Sequence, residues 1–69
     1  MTVHLNPPKS CDLCGAKITD EFSDARHPRL GRWGNFCPSC STDIGVIYGT
    51  GYGQRYRLNA DGKFEKAEG

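Results

Sequence analysis

Cys11-Asp12-Leu13-Cys14 and Cys37-Pro38-Ser39-Cys40 are two C-x-x-C units separated by 22 residues, and they hold all four cysteines of the chain. A C-x-x-C turn aims two thiolates at one point, so two such turns supply the ligand set of a tetrahedral Zn(Cys)4 site. Four thiolates close the coordination shell and leave no position for a reactive water, which points to structural rather than catalytic metal. Thioredoxin-type redox chemistry needs a larger scaffold to tune one thiol. His4, in the N-terminal segment, and His27, before Pro28, read as solvated side chains rather than ligands. No serine, histidine and acid constellation stands out, so no enzyme activity and no small-molecule substrate are expected.

A second unusual stretch follows the cysteines, Gly49-Thr50-Gly51-Tyr52-Gly53-Gln54-Arg55-Tyr56-Arg57. Its glycines match neither the dinucleotide fingerprint nor the P-loop. Backbone amides and arginines can nevertheless hold phosphates while Tyr52 and Tyr56 stack on bases. The competing reading is that the glycines make turns and the tyrosines cover a thin core. Arg32, Trp33, Tyr52, Arg55, Tyr56 and Arg57 are the candidate residues for binding nucleic acid or a protein partner.

Composition limits what else the chain can be. With 69 residues, 36% of them hydrophobic, the core is too small to outweigh ordering entropy comfortably, and a metal staple is expected. Disulfides would need an oxidising compartment, yet Met1 to Pro8 contain no apolar run long enough for a signal peptide and no segment could span a membrane. A cytoplasmic chain with reduced, metal-bound cysteines is the expectation. The formal charge of +1 becomes about −1 once four thiolates and one Zn2+ are counted. Its distribution is uneven. Residues 11–24 carry Asp12, Asp20, Glu21 and Asp24 against Lys17, whereas residues 25–60 carry Arg26, Arg29, Arg32, Arg55 and Arg57 against Asp43.

The elements that must position these groups follow from local patterns. Residues 1–10 form an extended leader, because Pro7-Pro8 forbids helix. Gly15 continues the first turn in a positive-φ conformation. Lys17 to Phe22 is a short strand or irregular arm, and Asp24 to Gly31 is a loop punctuated by Pro28 and Gly31. Arg32 to Phe36 is a strand whose Trp33 packs beside the metal as core, in preference to meeting a partner. Ile44, Ile47 and Tyr48 recur at helical spacing, which predicts a helix of about two to three turns from Pro38 to a stop at Gly49, with its positive end on the thiolate cluster. A strand through Val46 and Ile47 is the alternative. Arg55–Leu58 and Lys63–Lys66 flank Asn59-Ala60-Asp61-Gly62 and predict a closing hairpin. The domain therefore spans residues 11–66, with 67–69 as a frayed tail.

The nine residues of Cys11-Asp12-Leu13-Cys14-Gly15 and Cys37-Pro38-Ser39-Cys40 are similar to the two knuckles of rubredoxins, with Ser41 where that family has glycine. This resemblance implies an iron alternative to zinc. The whole order of knuckle, arm, tryptophan strand, second knuckle and helix resembles a treble-clef zinc finger, with zinc ribbon as the runner-up. The fold expected is thus a small metal-stapled α+β domain. Gly49-x-Gly51-x-Gly53-Gln54-x-Tyr56 after the second knuckle also resembles small zinc-finger proteins of bacteriophages and prophages. That likeness implies an accessory protein of a virus or mobile element, acting on nucleic acid or, alternatively, binding and modulating a host or viral enzyme.

Overall fold

In the computed structural model, which describes residues 2–69, two arms of sequence meet at β1, a strand over Glu21–Arg26. β2 (Trp33–Phe36) returns beside it, α1 (Pro38–Ile44) follows directly, and β3 (Gly53–Leu58) and β4 (Phe64–Glu68) complete an antiparallel sheet of order β2-β1-β3-β4. The molecule is a small α+β fold with one short helix among the described residues.

Register decides the core. Phe22 stands opposite Tyr56 across β1 and β3, and the rings stack with centroids 5.3 Å apart. Phe64 on β4 meets Phe22 edge-on at 5.1 Å. Phe22 is fully buried, and Ile18, Ala25, Phe36, Cys11 and Cys37 join the same cluster. Two of the four cysteines, Cys11 and Cys37, are thus part of the core.

Residues 2–10, read from sequence as an extended leader, bridge β4 at Val3, bend at Leu5 and Asn6, and are tied down. Lys66 N–H donates to the Thr2 carbonyl at 2.7 Å and His4 N–H to the Phe64 carbonyl at 2.8 Å, so these residues cover the outer edge of β4. His4 corrects its sequence reading. Its ring packs edge-on against Phe22 and Tyr56, and Nε2 lies 3.1 Å from Asp24 Oδ2. His27 is buried too, its Nδ1 accepting from the N–H groups of Arg29 and Leu30 at 3.2 Å. His4 found its partners in distant strands and His27 in its own turn, and a linear pattern reveals neither.

Three boundaries also move. The segment from Asp24 to Arg26, expected as loop, is the end of β1, because Ala25 is buried between Gly34 and Gly53 in the register. The helix stops at Gly45 rather than Gly49: Gly45 takes φ +72°, its N–H reaches the Thr42 carbonyl, and Val46 N–H reaches the Ser41 carbonyl, a Schellman ending. Ile47 and Tyr48 therefore lie beyond the helix, where Tyr48 OH meets Ser23 Oγ at 2.7 Å. β4 extends through Glu68, which pairs with Arg55, where fraying was expected after Lys66. The predicted hairpin is present, closed by Asn59 Oδ1 accepting from Asp61 and Lys63 N–H groups.

Phe22→Ala removes the one large apolar side chain with no exposure among the described residues, and should cost the metal-loaded protein about 3–5 kcal/mol, read as a lower urea midpoint.

Candidate metal centre and the surface around it

The first knuckle is a closed turn. Gly15, at φ +76°, sends its N–H to the Cys11 carbonyl, and Cys11 N–H donates to the Ala16 carbonyl. Leu13 N–H and Ala16 N–H point at the sulfurs of Cys11 and Cys14, each at 3.4 Å. In the second knuckle Cys37 is the N-cap of α1, with its sulfur accepting from Cys40 N–H at 3.4 Å and Pro38 in the first turn, where its missing N–H is harmless. Amide donors thus face sulfur on both sides, which favours thiolate.

Asp12 brings the two knuckles together. Its N–H donates to the Asn35 carbonyl at 2.9 Å, and its Oδ2 accepts from Asn35 N–H at 2.8 Å. Asn35 lies two residues before Cys37, so this clamp fixes the first knuckle against the strand that feeds the second. The sequence reading treated Asp12 only as local negative charge. Nothing in its spacing signals a partner 23 residues away.

All four sulfurs lie within 4.8 Å of one another, and those of Cys14 and Cys37 are 3.7 Å apart. A tetrahedral tetrathiolate site with metal–sulfur bonds of about 2.3 Å needs sulfurs about 3.8 Å apart, so the donor set fits a metal ion. A disulfide would need about 2.05 Å, and all four cysteines are free. Electrostatics agree. Burial raises the Cys11 thiol, but hydrogen bonds from the backbone of Cys14, Cys37 and Leu13 outweigh it and bring the pKa down to about 6. Cys40 is pushed up to about 12 by its contacts with Cys14 and Cys37, then by burial and the charge of Cys11. Without a cation the cluster resists becoming four thiolates.

The predicted binding residues do not form one surface. Tyr56 is buried in the core, where burial and then the charge of Asp24 raise its pKa. Arg55 is held by Glu21 and Glu68, each at 3.2 Å, and Arg57 leans on Glu21 at 3.5 Å. The glycine segment is a tight turn: Gly49 N–H donates to the Gly53 carbonyl, and Tyr52 and Gly53 N–H groups donate to the Gly49 carbonyl, which uses amides that a phosphate would need. A Cβ on Gly53 would stand 2.5 Å from Ala25 Cβ, so this glycine allows two strands to approach.

Arg32, Trp33 and Tyr52 behave differently. Trp33 is 53% exposed and Tyr52 51%, which overturns the reading of Trp33 as core. Trp33 stands opposite exposed Arg26 at the far end of the β1–β2 pairing, on the face that carries Phe22 but four residues along β1 from it, whereas Phe36 sits on the other face opposite buried Ser23. Tyr52 carbonyl accepts from Arg26 N–H at 2.9 Å, so the two aromatics belong to backbone on either side of one arginine. Arg26 and Arg29, which sequence reasoning left out of the site, complete the basic group with Arg32.

No protein-family model, curated protein or solved structure matches the chain. The likenesses to phage zinc fingers and rubredoxins rest on the sequence motifs alone. Among the described residues, no helix is long and apolar enough to cross a membrane.

Removing metal with a strong chelator should unfold the chain, seen as loss of the circular dichroism signal and of a cooperative thermal transition, because a structural site contributes about 10–16 kcal/mol that this core cannot replace. Loading should release protons, since Cys40 is protonated near neutrality in the metal-free cluster. Lower pH therefore favours the metal-free form, and chelator competition should succeed more readily at about pH 5.5 than at about pH 7.5.

Proposed function

We propose that this chain is a structural-zinc module that binds single-stranded nucleic acid through the turn joining β1 and β2 and the residues beside it. One observation carries the reading. Arg26, Arg29 and Arg32 are exposed, have no carboxylate within 4 Å among the described residues, and stand beside the exposed rings of Trp33 and Tyr52. Cations that track phosphates, interleaved with aromatic faces for bases, are the elements of a sequence-tolerant single-strand surface. Arg55 and Arg57, once the natural candidates, serve the sheet through Glu21 instead.

A tetrahedral thiolate set accepts zinc or iron, and we prefer zinc because the rubredoxin likeness is confined to the nine knuckle residues, with Ser41 where that family has glycine. The helix that starts within the second knuckle supports the treble-clef reading over the ribbon. A closed shell also supports a non-enzymatic role. The phage-type sequence motif supports an accessory protein working in a host cytoplasm.

A protein partner is the second reading, favoured by exposed Leu13, Leu30 and Trp33 lining one groove. Titration of labelled single-stranded DNA and RNA against the metal-loaded protein separates the two. Binding should weaken with salt, and the Arg26→Ala, Arg29→Ala variant should lower the log–log salt slope by about 1.4, at about 0.7 per phosphate contact. Absence of any binding at low salt would rule out nucleic acid and leave the protein partner.

A further inference from the structure

The groove between the first knuckle and the β1–β2 turn has a volume of about 310 Å3, at the small end for ligand sites and suited to one heteroaromatic ring system. Leu13, Leu30 and Trp33 form its walls, and buried Phe36 lies beneath. Gly34 keeps the floor open: a Cβ there would stand 3.0 Å from the Phe36 ring and 3.2 Å from Asp12 Oδ2. An apolar slot edged by an indole suits a planar ring that can stack.

Two charged groups line the same groove, Asp12 and Arg32. They do not pair with each other within 4 Å, although their charges are opposite. Asp12 is held in place because Oδ2 accepts from Asn35 N–H, and among the described residues its Oδ1 accepts from none. One fixed carboxylate oxygen therefore asks for an N–H on the occupant, while the Arg32 guanidinium asks for acceptors.

Among the bases, guanine presents both. Its N1–H and N2–H groups suit a carboxylate, and its O6 and N7 are the favoured acceptors for arginine. Thymine and uracil place carbonyls on both sides of their single ring N–H, which a carboxylate repels. Adenine lacks the carbonyl that arginine would grasp, and cytosine offers a carboxylate only its exocyclic amine, where guanine sets a ring N–H and an exocyclic N–H side by side. We infer that this groove seats one unstacked guanine of a single strand, stacked on Trp33 and read by Asp12 and Arg32. This inference rests on the nucleic-acid reading above, with the neighbouring Arg26 and Arg29 taking the flanking phosphates.

The test uses the metal-loaded full chain and short oligothymidylates carrying one central dG, dA, dC or dT. Trp33 is the only tryptophan, so its fluorescence reports the groove directly. The dG strand should quench Trp33 and bind about tenfold more tightly than the other three, within the range of one well-made base contact. Asp12→Asn keeps an oxygen for Asn35 N–H but offers an amide donor to the groove. It should retain the fold, checked by circular dichroism, and erase the dG preference while still binding. Arg26→Ala with Arg29→Ala should weaken all four strands alike. Equal affinities for the four strands with salt-dependent binding intact would overturn the guanine seat and leave the nucleic-acid reading standing. Persistence of the dG preference in Asp12→Asn would also overturn the seat. Failure of every strand to bind at low salt would overturn both.

Discussion

Four sulfurs gathered within 4.8 Å impose the constraint on which the rest of this structure depends. Contacts with Cys14 and Cys37, then burial and the charge of Cys11, hold Cys40 protonated in the absence of a cation, a conflict that a bound ion would relieve by closing a four-thiolate shell. Because Cys11 and Cys37 are themselves core residues, relief of that conflict and packing of the apolar cluster are one event. A bound ion would give the chain the cooperativity that a larger protein draws from its core.

The sheet is arranged to serve this junction. Asp12 clamps the outer edge of β2 through both its backbone and its carboxylate, and the leader caps the outer edge of β4. Each exposed row of strand donors and acceptors is thus met by chain from the same molecule, which limits edge-to-edge association. The helix adds a second face. Ser41 lies 2.9 Å from Ser23, which meets Tyr48 in turn, so the buried hydroxyls between α1 and β1 have partners.

Surface chemistry follows from what that scaffold consumes. Glu21 and Glu68 occupy Arg55, and the aromatic stack takes Tyr56, which removes from the surface the residues that looked most like a binding segment. The arginines at the other end of β1 lack such partners among the described residues and are left facing solvent beside Trp33. A module of this size has few side chains to spare, and those neither buried nor paired define its outward chemistry.

The sequence by itself determined the cysteine cluster, the strand into Cys37 and the closing hairpin, because each depends on residues within a few positions: C-x-x-C spacing and Asp61-Gly62 at a turn. It placed a helix after Cys37 but ran it to Gly49 on a spacing of which Ile47 and Tyr48 lie outside the helix. Only the tertiary structure decided which face each strand turns inward. Trp33 falls at the open end of a face whose other end buries Phe22, Phe36 falls on the opposite face and is buried, and no local pattern in a four-residue strand distinguishes the two. Likewise, Asp12 as a clamp, His4 as a core ring and Tyr56 as the stacking partner of Phe22 depend on register between distant segments. Those pairings are set by long-range contact, which is why the metal centre was legible in the chain and the surface beside it was not.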